Sequence, residues 1–325
     1  MKKRLLIITL LIILVFLVLN PEQNIDAFFL GIQVWATAVL PALFPFFFFT
    51  KFLSELNFPE TMGKYLSPLT KRLYRTSGIS GYIFVMSILS GYPVGAKLTS
   101  DIYEMKIISK AEASRITAYT STSGPLFIIG TVGIGLFKSK VIGIIILVSH
   151  ILGAMLNGLI YRNLGKKNEQ PLPNTYETLC KVFTNKNVLE DCMFNSIKSI
   201  LIIGGYVAIF FVIINILNIY NFFLPIYYIL SSICPSMDFS LLPSILNGII
   251  EVTRGCLDLS LATSNPQVLT ILGTFLISFG GFSVHFQAYT FLKKVGISFK
   301  LYLLEKVSHM GFSTLLAFIF SIIIF

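Results

Sequence analysis

The chain has 325 residues, of which 55% are hydrophobic and only 12% are charged. A soluble domain carries about twice that charged fraction, so the composition excludes an ordinary soluble protein and indicates several membrane spans. The formal net charge of +10 does not require a nucleic-acid partner, because lysine and arginine cluster in short loops, as the positive-inside rule expects.

The sequence carries no recognisable signature of a metal site or of an enzyme. Its four cysteines show no CxxC or other metal-ligand spacing, and its three histidines are scattered. Fingerprints of nucleotide binding, serine hydrolysis and zinc proteolysis are missing too. We therefore expect no cofactor, no metal and no catalysis, and any transport would be secondary or passive. An intramembrane enzyme is a distant alternative, with Asp101, Asp258 and His285 as its acid–base groups.

Apolar runs of sufficient length predict most of the membrane spans. The first run ends at Leu19 and follows basic residues, and no small-x-small cleavage site comes after it. It predicts an uncleaved anchoring helix within residues 1–27, followed by an outside loop. Further candidate spans are Phe28 to Phe49, Ala111 to Phe137, Val141 to Tyr161, Ile197 to Ile219, Leu269 to Leu292 and Leu301 to Phe325.

Two further stretches, Gly81 to Met105 and Leu241 to Ala262, are hydrophobic but interrupted near the middle. The first interruption is Gly91-Tyr92-Pro93-Val94-Gly95, where proline lacks a backbone donor and the glycines favour a turn. Non-helical backbone is tolerated at membrane depth only where protein or a water-filled cavity satisfies it. We interpret both stretches as re-entrant helical hairpins.

The two hairpin stretches match each other at a constant offset of 157 residues. Eight of 38 aligned positions are identical, including both glycine breaks. Lys97 aligns with Arg254, and Asp101 aligns with Asp258. Paired, interrupted hydrophobic segments in two halves of a membrane protein are typical of transporters built from repeats. A duplicated scaffold without a transport function is the alternative.

The positions of lysine and arginine predict opposite orientations for the two halves. They place the N-terminus, the long central loop and the last loop inside, although Lys138 and Lys140 go against this pattern. Repeat 1, residues 28–161, then starts outside, whereas repeat 2, residues 195–325, starts inside. We therefore expect an all-α polytopic membrane protein with two inverted-topology repeats, each containing a re-entrant hairpin and a broken helix, joined by a cytosolic linker of residues 162–194.

Lys97 and Arg254 are the candidate substrate-binding cations, because they follow the two hairpin interruptions. A cation within hydrocarbon is costly and usually faces a cavity or a partner. The structural alternative is an ion pair, since Asp101 and Asp258 each follow at position i+4. The roles overlap, because a paired cation can still accept a substrate carboxylate.

Backbone at the breaks supplies the remaining candidate contacts to substrate. Broken helices are predicted at Ser123-Gly124-Pro125 and at Gly280-Gly281-Phe282-Ser283, and amide groups at helix starts attract anions. Four breaks, two in each half, would converge on one central site. The predicted substrate-binding set adds Gly91, Gly95, Ser123, Gly124, Gly280, Gly281 and Ser283 to the two cations. Close helix packing is the alternative for each single glycine.

Four residues are candidates for ion or proton coupling. Glu251 lies in the second hairpin tip and would bind a proton or a sodium ion, or else pair with Arg254. His285 follows the Gly-Gly break and is either a titrating group or a packing residue. Asp101 and Asp258 complete this set.

At these motifs the chain resembles a known family. The segment from Ser90 to Lys97, and the segment from Ser123 to Gly130, are similar to the YlbJ (SpoVV) family of sporulation integral membrane proteins. That family belongs to the wider group that carries the nucleoside transporter/FeoB GTPase gate domain, and the resemblance covers nearly the whole chain. It implies a carrier of dipicolinic acid across the outer forespore membrane during endospore formation. Related nucleoside transporters place two inverted hairpin-and-broken-helix repeats around a midplane site.

We therefore expect a secondary transporter of a small anionic metabolite, with dipicolinate as the leading substrate. Its other expected partners are the lipid bilayer and sporulation membrane proteins, with no nucleic acid. A nucleoside or other small-metabolite carrier is the first alternative. A membrane scaffold that recruits a sporulation complex through the loop from Arg162 to Asp191 is the second, and replacing that loop with a neutral linker would separate it from a transporter.

Overall fold

The computed structural model describes residues 2–55, 58–165, 188–233 and 239–325, and every regular element in these ranges is a helix. In chain order they are α1 (Lys2–Leu19), α2 (Pro21–Val34), the π-helical segment π1 (Trp35–Val39), α3 (Leu40–Glu55), α4 (Phe58–Leu73), α5 (Ile79–Ser90), α6 (Val94–Glu104), α7 (Lys110–Thr120), the π-helical segment π2 (Leu126–Leu136), α8 (Lys140–Tyr161), α9 (Val188–Ile219), α10 (Leu224–Ile233), α11 (Leu242–Ile250), α12 (Val252–Ala262), α13 (Pro266–Phe279), α14 (Gly281–Val295) and α15 (Phe299–Ile324).

Several helices are long and apolar enough to cross a membrane. In the described residues these are α8, α9, α15 and the continuous pair α13–α14. A fifth candidate is the pair α1–α2, which bends by 103° where Pro21 starts a new helix. The Asn24 side chain donates to the Phe16 carbonyl at 3.1 Å, which satisfies part of the end of α1. The chain is therefore an all-α polytopic membrane protein, as the composition predicts.

Both interrupted stretches form helical pairs. In the first, α5 ends at Gly91, whose φ of +74° lies in the left-handed region that favours glycine, and α6 begins at Val94. In the second, a single extended residue, Glu251, separates α11 from α12. The Glu251 carboxylate accepts a hydrogen bond from the Arg254 backbone N–H at 2.7 Å and so caps α12.

The predicted broken helices also lie where the sequence placed them. The segment 121–124 separates α7 from the helical chain that continues into π2. Gly280, with a φ of +93°, separates α13 from α14. The breaks thus occupy equivalent places in the two halves, while the opposite orientation of the halves and their boundaries stay a prediction.

Some elements differ from the sequence expectation. Helix α9 already begins at Val188, so the end of the expected linker is helical, and residues 166–187 of that linker lie outside the described part of the chain. The span from Phe28 to Phe49 is helical throughout but contains π1 and an internal Pro45. Helix α10 was not predicted. It is apolar but only ten residues long, which is too short for a full span.

Helix α15 packs against both α8 and α13, so it joins the two halves. Close approach to α8 depends on Gly153, where a Cβ atom would lie 2.1 Å from the Ser313 Oγ. This contact brings the polar residues of α15 against the breaks of the first half.

Candidate functional site

All four breaks line one partly open cavity, where about 570 Å³, open solvent included, is free of protein atoms. Each hairpin and each broken helix contributes residues to its wall. The lining residues are Val39, Leu43, Gly91, Tyr92, Ser123, Gly124, Phe127, Ile203, Val207, Glu251, Val252, Thr253, Ile277, Ser283, Val284 and Gln287.

The wall combines apolar side chains with a few polar groups, which is the usual composition of a small-molecule site. The apolar residues come from π1, α3, π2, α9 and α13 as well as from the breaks. The polar side chains are Tyr92, Ser123, Glu251, Thr253, Ser283 and Gln287. Chemically, such a lining suits a flat ring that contacts the apolar side chains with its faces and the polar groups with its edge.

Helix ends meet at this cavity because each break ends one helix and starts another. Helices α6, π2, α12 and α14 begin at residues in or next to the wall, so the positive ends of their dipoles lie near the cavity. Helices α5, α7, α11 and α13 end there with the negative ends of their dipoles. The arrangement can therefore attract an anion at the helix starts and a cation at the helix ends.

The structure brings most of the predicted substrate-binding glycines and serines to the cavity. Gly91, Ser123, Gly124 and Ser283 belong to its wall. Gly280 lies opposite the Tyr92 ring, since a Cβ atom there would be 3.5 Å from Tyr92 Cζ. These residues come from both halves.

Two predicted glycines are packing positions. A Cβ atom at Gly95 would lie 1.9 Å from the Thr120 carbonyl oxygen, so this glycine allows α6 to contact the end of α7. At Gly281 a Cβ atom would lie 3.0 Å from the Val252 nitrogen, where the second hairpin meets the second broken helix. Both glycines hold the breaks together from outside the cavity wall.

The two predicted cations lie one turn beyond the hairpin tips and outside the wall. Arg254 Nε contacts Asp258 Oδ1 at 2.9 Å, and the Arg254 guanidinium lies 5.5 Å from the centre of the Phe211 ring. Asp258 also accepts a hydrogen bond from the Asn247 side chain at 2.7 Å. The ion pair that the sequence offered as an alternative is thus present in the second half.

The equivalent residues of the first half, Lys97 and Asp101, have different contacts. Lys97 is partly buried on α6, and its charged neighbours are Asp101, Lys51 and Lys198. Within the described residues, no ion pair like that of Arg254 joins Lys97 to Asp101. Lys97 therefore has more freedom than Arg254 to meet an anion.

The remaining coupling candidates have contrasting surroundings. Glu251 is 2% exposed, lines the cavity and caps α12. His285 is buried on α14, and neither of its ring nitrogens forms a hydrogen bond within the described residues. The rings of Phe279 and Tyr302 contact its imidazole edge to face, with centroids 4.7 and 5.5 Å away. These aromatic surroundings favour the interpretation of His285 as a packing residue.

A buried polar network that was not predicted adjoins the cavity and is centred on Lys306 of α15. The Lys306 ammonium donates to the Tyr92 hydroxyl, to the Ser121 carbonyl at 2.9 Å and to His309 Nδ1 at 3.1 Å. All three of its hydrogens thus have acceptors. The Ser121 carbonyl belongs to the break after α7, where no helix is present to satisfy it.

The network continues through two histidines to the wall of the cavity. Because His309 Nδ1 accepts from Lys306, its Nε2–H donates to the His150 carbonyl at 2.9 Å. The Ser123 backbone N–H donates to His150 Nε2 at 2.9 Å, so His150 Nδ1–H donates to Ser278 Oγ at 2.8 Å. One set of neutral tautomers satisfies every bond. The network therefore joins both broken helices to α8 and α15.

A sequence signal for this network existed. Glu305 and Lys306 are adjacent charges inside an otherwise apolar span, and such residues usually have a functional or pairing role. Their partners could not be identified, because Tyr92 and Ser121 are distant in sequence. No group of three or more His, Cys, Asp or Glu side chains in the described residues is placed to hold a metal ion.

The chain is similar in sequence to one characterised sporulation protein. No family model and no solved structure matches the chain. The sporulation integral membrane protein YlbJ of Bacillus subtilis strain 168 is 29% identical over 310 residues, which cover 89% of this chain and 75% of that protein. The chain is thus similar to this sporulation protein over most of its length. Together with the spanning helices, this similarity supports a multi-pass membrane protein with a role in sporulation.

Proposed function

We propose that this protein is a secondary transporter of a small anionic metabolite, with dipicolinate as the leading substrate. One observation carries the proposal: four helix breaks, two from each half of the chain, line a single central cavity. Discontinuous helices around a midplane site are the usual construction of secondary transporters. The sporulation role of the relative suggests the outer forespore membrane as the location.

The surroundings of the cavity support an anionic aromatic substrate. Dipicolinate is a planar ring with two carboxylates, and the cavity offers apolar walls with helix starts at several points. The Lys306 nitrogen lies 4.8 Å from the centre of the Tyr92 ring, which is part of the cavity wall. The ammonium therefore adds positive potential at the Tyr92 side of the cavity. In this proposal the helix starts bind the carboxylates and the walls contact the ring.

Lys97 and Arg254 keep a proposed part in substrate binding. Each lies in the first turn of the helix that follows a hairpin tip, α6 and α12 respectively. Arg254 can bind a carboxylate through its outer nitrogens while Nε stays on Asp258. Lys97, as a point charge, would meet substrate on the way into or out of the cavity.

Uptake of labelled dipicolinate into proteoliposomes tests this proposal, with empty liposomes as the control and excess uridine as competitor. We expect saturable uptake that is insensitive to uridine. The Lys97→Ala/Arg254→Ala double variant should lose affinity for dipicolinate. A matched double variant, Lys64→Ala/Lys71→Ala, removes two exposed cations of α4 and should keep it. Failure of the folded wild-type protein to move dipicolinate under any proton or sodium gradient would overturn the carrier proposal.

A nucleoside or other neutral metabolite is the second candidate. The observation that favours it is the absence of lysine and arginine from the wall within the described residues. Ser123, Thr253, Ser283 and Gln287 can bind hydroxyl groups and base edges without a net charge. Uridine that competes with dipicolinate, or that is itself taken up while dipicolinate is not, would favour this candidate.

A further inference from the structure

Glu305 and Lys306 are adjacent charged residues on the spanning helix α15, and each is only 1% exposed. Within the described residues, no ion pair joins their side chains. A buried charge without a partner is strongly unfavourable, so each group needs compensation. Lys306 has three hydrogen-bond acceptors, whereas neither carboxyl oxygen of Glu305 has a hydrogen-bond partner in the described part of the chain.

Other buried polar atoms near Glu305 also have no hydrogen-bond partner in the described ranges. They are both ring nitrogens of His285 and the hydroxyls of Tyr302 and Ser121, which adjoin each other without a well-aligned hydrogen bond. Most buried polar atoms in proteins are paired, so a group of unpaired ones indicates that a small ligand or a proton belongs there. The group lies between α7, α14 and α15, directly beside Lys306.

The chemistry of these neighbours favours a proton over a metal ion. The Lys306 ammonium already supplies one positive charge, and a sodium ion beside it would be repelled. Thr117 adjoins the Glu305 carboxyl, and its own hydroxyl hydrogen is donated to the Ser114 carbonyl at 2.9 Å. While its hydrogen is donated to Ser114, the Thr117 oxygen can accept a hydrogen bond from Glu305. A protonated carboxyl group fits this place because it supplies the missing donor.

Building on the transport function proposed above, we propose that Glu305 carries the proton that is coupled to substrate movement and that Lys306 transmits its release to the cavity. Loss of the proton creates a carboxylate beside the ammonium. Lys306 then turns toward Glu305 and releases the Tyr92 hydroxyl and the Ser121 carbonyl, which belong to the first hairpin and the first broken helix. Return of the proton to Glu305 restores the network.

The ionisable groups around the pair come from several elements. Helix α13 carries none, whereas α7 and the break after it contribute the non-ionising hydroxyls of Thr117 and Ser121 respectively. The groups that face Glu305 and Lys306 are Tyr92, His150, His285, Tyr302 and His309. In the hydrogen-bond pattern above, both networked histidines are neutral and fully used, so Glu305 is left as the acidic group that can exchange a proton.

Paired transport assays test this inference. We expect a pH gradient, and not a sodium gradient, to drive dipicolinate accumulation by the wild-type protein. Glu305→Gln should keep dipicolinate exchange between the two sides but lose gradient-driven accumulation by about tenfold, a usual size for coupling between two sites. Glu305→Asp should keep coupling with an altered pH profile. Glu104→Gln, which neutralises an exposed carboxylate paired with Lys294, is the matched control and should behave like wild type.

The outcomes separate this inference from the transport proposal. Normal pH-driven accumulation in Glu305→Gln, or accumulation driven by sodium alone, would overturn proton coupling at Glu305 while leaving dipicolinate transport in place. If no variant moves dipicolinate, infrared spectroscopy of the purified protein still tests the proton. A carboxylic-acid band that disappears on raising the pH should be equally strong in wild type and in Glu104→Gln and weaker in Glu305→Gln, where another buried carboxyl group, Glu251, is unchanged. A band of equal strength in Glu305→Gln and wild type, or its absence from wild type, would contradict the inference.

Discussion

The Lys306 ammonium donates a hydrogen bond to the Tyr92 hydroxyl across 214 residues of sequence. This contact joins the last described helix to the tip of the first hairpin, and Tyr92 is itself part of the cavity wall. Any movement of Lys306 is therefore transmitted to the wall. The same residue holds the Ser121 carbonyl, so one ammonium group stabilises both breaks of the first half.

Tyr92→Phe is expected to lower the free energy of unfolding by about 1–3 kcal/mol, because it removes one acceptor from a buried ammonium while keeping the ring. Thermal unfolding in detergent measures this change. Tyr65→Phe is the control, because Tyr65 is 79% exposed and should tolerate the loss of its hydroxyl. Equal unfolding temperatures for the two variants would contradict the role of the Lys306 contact.

His150→Leu should loosen the first broken helix. It leaves the Ser123 N–H and the Ser278 hydroxyl without the partners that they have at 2.9 and 2.8 Å. We expect amide hydrogen exchange of residues 121–124 to accelerate by about tenfold or more, equivalent to about 1.4 kcal/mol or more of lost local stability. Protection that matches wild type would show that His150 does not hold this segment.

His285→Phe should leave stability unchanged or raise it. The imidazole is buried among aromatic rings, and its nitrogens lack hydrogen-bond partners within the described residues, so an apolar ring removes unsatisfied polar atoms. Unfolding and transport should be measured together. If this variant folds normally but loses gradient-driven transport, His285 is a coupling residue instead of a packing residue.

Gly153→Ala should destabilise the contact between α8 and α15. The new Cβ atom would lie 2.1 Å from Ser313 Oγ and 2.8 Å from the Ser313 backbone nitrogen, so the helices must move apart. A cost of about 1–3 kcal/mol is expected for overpacking of this kind. Gly311→Ala on α15 is the matched control, because no atom lies within 4 Å of its added carbon. Similar unfolding temperatures for both variants would argue against a tight α8–α15 contact.

Arg254→Ala and Asp258→Asn separate the two roles considered for this ion pair. Asp258 keeps its hydrogen bond from Asn247 at 2.7 Å, so the loss of either partner should cost only about 1–2 kcal/mol of stability. If Arg254 also binds substrate, Arg254→Ala should raise the KM for dipicolinate, whereas Asp258→Asn should not. An unchanged KM in Arg254→Ala would leave this arginine with a structural role only.

Local features made the breaks predictable from the sequence. Glycine at positions 91, 280 and 281 adopts the positive φ angles that other residues avoid, and Pro125 and the apolar runs mark where helices can start and continue. The repeat offset of 157 residues extended this prediction from the first half to the second. The role of Gly95 was less evident, because its contact with Thr120 depends on how α6 packs against α7.

By itself, the sequence determined that this chain crosses a membrane and where its helices break, because hydropathy, glycine and proline act over a few neighbouring residues. The tertiary structure alone decided which polar groups meet. It paired Arg254 with Asp258, left Lys97 without that contact and brought Lys306 to Tyr92 and Ser121. A buried charge is satisfied by whichever acceptors packing brings within about 3 Å, and those acceptors lie on helices far apart in sequence.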